Sequence, residues 1–238
     1  EIVPCINLVS EDMDITIGEG TSTNYYIPYA QYYNNGWVEM IYPASNFATA
    51  GYINSIAWYV ETAATRNTQY SSLKIYIGTK AASTHSSAND WLPEQDLTLV
   101  YESNSGTVGM TTGWEIYELN EPFYYNGEDD LVIVTARKGA WGFAYYQYTP
   151  TAGAVLYRGD DSAPEYGEYP GSNSGTLFGN LPNIKIDFTG YACNDATCKA
   201  PKNVVAEAEA HTVHVSWLPV EGVSNYEVAV KEADNTVM

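Results

Sequence analysis

Residues 51–60 read GYINSIAWYV, and this stretch sets the period of the fold. Ile56, Trp58 and Val60 fall on one face of an extended chain, with Ala57 and Tyr59 on the other. The same two-residue period recurs at 73–77, where Leu73, Ile75 and Ile77 alternate with Lys74 and Tyr76, and at 184–188, where Ile184, Ile186 and Phe188 alternate with Lys185 and Asp187. Trp114 to Leu119 alternates less cleanly. Leu131 to Val134 is a continuous apolar run, the pattern of a strand covered on both faces. Gly, Asn, Pro and Ser punctuate these segments and no amphipathic helical period is present, so the reading is all-β, a sandwich of short strands. Two stretches break the pattern: Lys80 to Glu94, ending in Trp91-Leu92-Pro93, and Gly159 to Pro182, which reads as a long loop or a pair of loops.

The charge is one-sided. The 238 residues carry 10 Lys+Arg against 29 Asp+Glu, a formal net of −19. Such a surface repels a phosphate backbone, so nucleic acid is excluded as a partner, and anionic membrane surfaces are disfavoured for the same reason. No apolar run reaches the roughly 18 residues a membrane-spanning helix needs, so no membrane insertion is expected. Tyrosine is abundant, 22 against 5 Phe, which suits strands whose surfaces are partly wet. Of the three cysteines, Cys193 and Cys198 are close enough to close a small loop in an oxidising compartment, with three free thiols as the alternative. The start at Glu1 reads as the product of signal removal or as a boundary within a longer chain.

The C-terminal stretch, APKNVVAEAEAHTVHVSWLPVEGVSNYEVAVKEADNTVM (200–238), has its own grammar. An entry proline precedes an alternating strand with Val213, Val215 and Trp217, a Pro219–Gly222 turn, and a second alternation at Tyr226, Val228 and Val230. It resembles the opening of a fibronectin type III domain, an Ig-like sandwich of about 100 residues and seven strands. Only three strands fit before Met238, so the chain reads as a piece of a larger modular protein. Residues 16–188 carry a further resemblance in TIGEGTSTNYYIPY (16–29), EMIYPASNF (39–47), GYINSIAWYV (51–60), SLKIYIGTK (72–80), DWLPEQDLTLVYE (90–102), GWEIYELNEPFYYNG (113–127), DDLVIVTA (129–136) and LPNIKIDF (181–188). Together these resemble a surface module of secreted Bacteroidetes proteins, similar to the jelly-roll adhesin domains of surface peptidases. The resemblance implies a jelly-roll-like sandwich and an extracellular or cell-surface location, and brings no catalytic residues with it.

The expected organisation is an N-terminal segment, 1–13, that reads as an upstream linker; a jelly-roll-like β-sandwich, 14–190; a linker, 191–200; and a truncated fibronectin type III domain, 201–238. Chemistry is sparse. Cys193, Cys198, His211 and His214 mimic a zinc-finger spacing, but the histidines are too close and straddle a strand. His85 is the sole histidine of the larger domain, sits in a polar loop where exposure is the simplest account, and has no nucleophile-elbow motif to serve. No spacing favours a pair of glycosidase carboxylates. No cofactor is required, and a non-enzymatic role follows. Structural calcium is the one metal expected: carboxylate pairs in loops, above all Asp129 and Asp130, and Asp160 and Asp161 with Glu165, offer oxygen ligands, as do Asp12 and Asp14. Adhesin-type jelly rolls hold such calcium, as the resemblance implies.

Binding is the function these residues point to. Tyr25, Tyr26, Trp141, Tyr145, Tyr148, Tyr166 and Tyr169 cluster in three aromatic segments that could stack on sugar rings, although alternate members of Tyr145-Tyr146-Gln147-Tyr148 must face inward. Arg158-Gly159-Asp160 matches an integrin-recognition tripeptide, provided that a loop displays it. The expectation is a binding or adhesion module for a glycan or a host or partner protein, with a structural spacer accessory to a secreted peptidase or glycoside hydrolase as the alternative.

Overall fold

A computed structural model of the chain describes residues 2–3, 8–66, 68–161, 169–171, 173–193, 202–209, 212–218 and 227–228. The described residues are all-β. The strands are β1 (Ile2–Val3), β2 (Leu8–Ile17), β3 (Ser22–Asn24), β4 (Asn35–Tyr42), β5 (Gly51–Thr62), β6 (Gln69–Lys80), β7 (Thr98–Ser103) and β8 (Gly106–Thr107). They continue with β9 (Gly113–Tyr125), β10 (Asp130–Gly139), β11 (Tyr145–Asp160), β12 (Thr176–Pro182), β13 (Ile184–Cys193), β14 (Lys202–Glu209), β15 (Thr212–Leu218) and β16 (Glu227–Val228). Helical turns are limited, among the described residues, to two 3-10 turns, Ala44–Asn46 and Glu94–Asp96.

The chain divides into two compact units. The smaller joins Glu1–Glu11 with Tyr191–Met238. In it β14 and β15 form an antiparallel hairpin, with Ala206 opposite Val215 and Ala208 opposite Val213. Ile2–Val3 pairs with Glu227–Val228, so both ends of the chain belong to this unit. The 219–222 turn, Tyr226, Val230, Cys5, His211 and Cys198, and with Cys198 the expected 193–198 bridge, lie outside the described residues.

The larger unit, Asp12–Gly190, is a β-sandwich. One layer runs β2-β13-β5-β9 and the other β12-β11-β4-β10-β6-β7. Among the described residues, every pairing whose register is defined is antiparallel. The inward faces meet as the alternation requires: Ile56, Trp58 and Val60 of β5 and Ile184, Ile186 and Phe188 of β13 share a core with Met40, Ile75, Ile77 and Ile133. Ile53 joins them despite its odd position, because the register shifts between Ile53 and Ser55. One residue out of register inverts the facing of everything beyond it. Trp58 is fully buried; its indole N–H donates to the Tyr42 hydroxyl (3.1 Å), which donates to the Pro182 carbonyl (3.1 Å).

The two layers are stitched by strands that change partners. Tyr145 and Tyr146 of β11 pair with β5, while Val155 to Asp160 pair with β4. β12 pairs with β11, and β13, which follows it after Asn183, pairs with β5. Asn183 sits at this corner and is buried. Its backbone N–H donates to the Gln147 carbonyl (3.0 Å), its side-chain amide donates to the Gly20 carbonyl (2.7 Å), and its Oδ1 accepts from Thr149 (2.9 Å). Sheet-switching corners of this kind close a sandwich.

The run 131–134 is covered on both faces, as its composition requires. Leu131 and Ile133 face the main core, whereas Val132 and Val134 face a second cluster with Trp37, Ile41, Trp91 and Leu92. The irregular 80–94 stretch therefore acts as a strap over the outer side of the second layer. Trp91 anchors it, its indole N–H donating to the Asn173 carbonyl (2.8 Å). The stretch expected to be a loop from 159 to 182 instead contains strand β12, whose short Gly-interrupted TLFGNLP has too little period to reveal itself in sequence. Removing the largest buried ring should show how far the layers depend on one another. Trp58→Ala is expected to cost about 3–5 kcal/mol of unfolding free energy in urea melts, as loss of a fully buried aromatic does.

Candidate functional site

Segments distant in sequence bring nine aromatic rings together beside β11. Tyr25 lies 4.7 Å from Tyr26, 5.6 Å from Tyr145 and 5.2 Å from Phe143, measured between ring centroids. Trp141 continues the chain of contacts, 5.4 Å from Phe143. Tyr26 stacks on Tyr157 at 5.2 Å, and Phe178 edges onto both. Tyr32 and Tyr33 complete the group. Offset and edge-to-face contacts such as these hold rings in fixed orientations. Tyr32 (43% exposed) and Trp141 (39%) are the rings most open to solvent.

The backbone makes room for this group at one place in the ladder. Gly36 and Gly159 oppose each other between β4 and β11. A methyl group on Gly159 would stand 2.2 Å from the Tyr33 ring, and one on Gly36 would stand 2.7 Å from the Ala30 side chain. Glycines there let the 26–33 turn lie directly on the sheet.

Polar groups rim the patch. The Asn34 side chain accepts from the Trp141 N–H (3.1 Å) and donates to the Asp161 carbonyl, and the Asp161 carboxylate accepts from the Asn34 N–H (3.0 Å). The Arg66 guanidinium lies over the Trp141 ring at 4.6 Å, within cation–π range. Burial pushes the phenols of Tyr26, Tyr33 and Tyr157 up from their ordinary value, with neighbouring phenols adding to it; for Tyr33 the Asp161 and Asp160 carboxylates contribute too. These hydroxyls remain protonated hydrogen-bond donors at neutral pH.

The structure gathers four of the expected aromatic residues, Tyr25, Tyr26, Trp141 and Tyr145, into this patch. The other expected aromatics lie apart from it. Tyr148 is half-buried against the main core, and Tyr169 packs on Trp37 (5.7 Å) over the second cluster. Tyr166 lies outside the described residues. Tyr157 and Phe178 were invisible in the sequence as patch members, because they arrive through cross-strand neighbours rather than through local aromatic density.

The acidic pairs are separated and engaged. The Asp130 carboxylate accepts from the Ala44 N–H (2.7 Å), and that of Asp161 from the Asn34 N–H. Asp129 sits in a turn closed by the Asn126 side chain, and the Asp160 carbonyl accepts from Asn35 (3.3 Å). Asp12 accepts from Thr189 (2.9 Å), and Asp14 pairs with Lys185 (2.7 Å). Glu165 lies outside the described residues. Among the described residues no group of three or more His, Cys, Asp or Glu converges as a metal site. Arg158-Gly159-Asp160 is not displayed by a loop. It forms the end of β11, paired residue by residue with Trp37, Gly36 and Asn35.

His85 is buried, not exposed as its polar loop had implied. The strap folds it onto the outer face of the second layer, where its Nδ1 lies 3.1 Å from the Asp90 carbonyl and 3.8 Å from Glu39 Oε1. Glu39 is wholly buried, and both its oxygens accept from the Leu92 N–H (3.0 and 3.1 Å). Burial lifts the Glu39 carboxyl to about 7, against the pull of the Leu92 N–H and Lys80, and burial lowers His85. The pair is sealed beneath Trp91 and Leu92, so it is placed to affect stability rather than to meet a substrate.

No protein-family model matches the chain, and no curated protein matches it.

Two measurements follow from this geometry. Gly159→Ala must displace the Tyr33 ring and is expected to cost about 1–3 kcal/mol in denaturant melts. Gly179→Ala, whose added methyl would meet nothing closer than 3.6 Å, should be near neutral. The folded state holds the Glu39 proton more tightly than the unfolded chain, so this group's contribution is fully present at low pH and is lost as pH rises from about 4.5 to about 7. His85 works in the opposite sense, costing stability as pH falls below its ordinary value. Between about pH 4.5 and pH 8, Glu39→Gln should therefore gain about 3 kcal/mol relative to the parent chain. A pH-independent difference between the two would remove the assignment.

Proposed function

We propose that the Asp12–Gly190 unit is a non-catalytic binding module of an extracellular or cell-surface protein, and that its aromatic patch takes a glycan. The observation that carries this reading is the convergence of nine aromatic rings beside one strand, with Tyr32 and Trp141 open to solvent and Asn34, Asp161 and Arg66 at the rim. Exposed ring faces stack on the apolar faces of sugars, while amide, carboxylate and guanidinium groups match the hydroxyls. The net charge of −19 is compatible with a neutral ligand and opposes a polyanionic one. Among the described residues no helix is long and apolar enough to cross a membrane.

The resemblance of 16–188 to jelly-roll adhesin modules, and of 201–238 to the opening of a fibronectin type III domain, supports placing this unit in a modular surface protein. A spacer role draws on a different observation: most rings of the patch are half-buried and pack on one another, as they would if they only closed the end of the sandwich. The two readings part in a glycan-array experiment with Tyr32→Ala and Trp141→Ala. A binding module should retain defined glycans and lose at least tenfold in affinity in either variant at unchanged melting temperature. A spacer would retain none above background.

A further inference from the structure

Arg66 stands on a turn that is anchored on both sides of it. The turn follows β5, whose Thr62 pairs with Tyr145 at the start of β11, so it lies against the aromatic patch. Ala64 is buried, and its N–H donates to the Gly109 carbonyl (2.8 Å). Thr68 is completely buried, and its hydroxyl donates to the Val108 carbonyl. The turn after β10 closes against this one. The Ala140 N–H donates to the Gln69 carbonyl (2.7 Å), and a methyl group on Gly142 would collide with the Thr68 side chain. The first turn carries Arg66 and the second carries Trp141, which is how the guanidinium comes to lie 4.6 Å from the centre of the indole.

The other cations of this unit are engaged by protein oxygens. Lys74, Lys80 and Lys185 pair with Glu102, Asp90 and Asp14. Arg137 donates to the carbonyls of Tyr33 and Gln69, and Arg158 to that of Ser174. Arg66 is exposed, and among the described residues no oxygen accepts from it and no carboxylate lies within 4.0 Å of it. Acids outnumber bases 29 to 10 in this chain, yet among the described residues none neutralises this side chain. A guanidinium carries its N–H donors in a planar fork that matches the two oxygens of a carboxylate. Contact with the indole restrains the fork, and its N–H groups stay open to a ligand.

We propose that the glycan taken by the aromatic patch carries a sugar carboxylate, as a hexuronic acid does, and that Arg66 receives it; this rests on the reading of the patch as a glycan site. Trp141 is then a positioning residue for the guanidinium. Tyr32, the most exposed ring of the group (43%), offers its face to a pyranose. Phe143 spaces the two, 5.4 Å from Trp141 and 6.1 Å from Tyr32, so charge recognition and ring stacking fall within the reach of a short oligosaccharide. A carboxylate is favoured over a hydroxyl because charge-assisted bonds are roughly twice as strong as neutral ones. One carboxylate is favoured over many. Asp161, bound to the same Asn34 that holds the Trp141 N–H, places a negative charge on this rim, and the net charge of −19 repels a polyanion. A single anion beside Arg66 is screened from remote acids over about 8 Å at physiological ionic strength.

The test is a titration of the intact chain followed through its indole N–H resonances by NMR, with the Trp141 signal assigned by Trp141→Phe. Sodium glucuronate is expected to shift that signal saturably. Its methyl ester, the same ring without the charge, should bind at least tenfold more weakly, and so should sodium acetate, the charge without the ring. Arg66→Ala should bring glucuronate down to the level of the ester at unchanged melting temperature. Arg66→Lys should restore only part of the loss, because an ammonium lacks the fork. Tyr32→Ala should weaken glucuronate and ester alike. Equal binding of glucuronate and ester, or glucuronate binding unchanged in Arg66→Ala, would overturn the proposal, and neutral glycans still held through Tyr32 would leave the glycan reading standing without it. An equal shift with acetate would overturn the sugar assignment in favour of an acidic peptide. No saturable shift with any of the three would overturn the proposal, and a glycan array without hits would remove the underlying reading as well.

Discussion

Strand β11 belongs to both layers of the sandwich, and the remaining architecture depends on that sharing. Its first residues pair with β5 and its last with β4, so the two sheets are covalently and hydrogen-bond continuous through one segment. The corner residue Asn183 makes the crossing tolerable. At a sheet switch the backbone ladder is interrupted, and its groups would be buried without partners. Asn183 and Thr149 supply them by bonding the carbonyls and amides of Gly20, Gln147 and Glu19. Leaving such groups unpaired in a core costs far more than any one of these bonds contributes in isolation.

The same strand distributes the chemistry. Because side chains alternate, Tyr145 is delivered outward to the aromatic patch and Tyr146 inward to the carboxylate of Glu115. Further along, Gly159 vacates the space that Tyr33 fills. The aromatic patch and the Glu115 hydrogen-bond network are therefore products of one register. A slip by one residue would exchange their faces and abolish both.

Burial of ionisable groups in this protein follows two patterns. Glu115 is held by the Tyr146 hydroxyl and the Gly109 N–H, and burial lifts its carboxyl above the ordinary value against the pull of these donors. Glu39 and His85 are sealed beneath the strap, where desolvation favours the neutral form of each. The second arrangement couples the strap to pH and suits stability.

Much of the fold was legible in the chain itself. The period of two in 56–60, 73–77 and 184–188 assigned the inward faces correctly, and the unbroken run 131–134 announced a strand covered on both sides. Local aromatic density also marked Tyr25, Tyr26, Trp141 and Tyr145. What could not be read was anything that depends on a partner distant in sequence. Strand β12 exists because β11 offers it a ladder, and Tyr157 and Phe178 join the patch through that ladder. The Arg158-Gly159-Asp160 tripeptide was taken into the sheet by β4. His85 sits in a polar loop but is buried because Trp91 and Leu92 pull that loop down. Glu115, in a strand of irregular alternation, gained its setting from Tyr29 and Tyr146, which lie 86 and 31 residues away. Alternation is a property of neighbouring residues, so the sequence alone determined the class of fold and the facing of its strands. Pairing, strap closure and the neighbours of each buried acid are properties of contacts between segments, so only the tertiary structure could decide them.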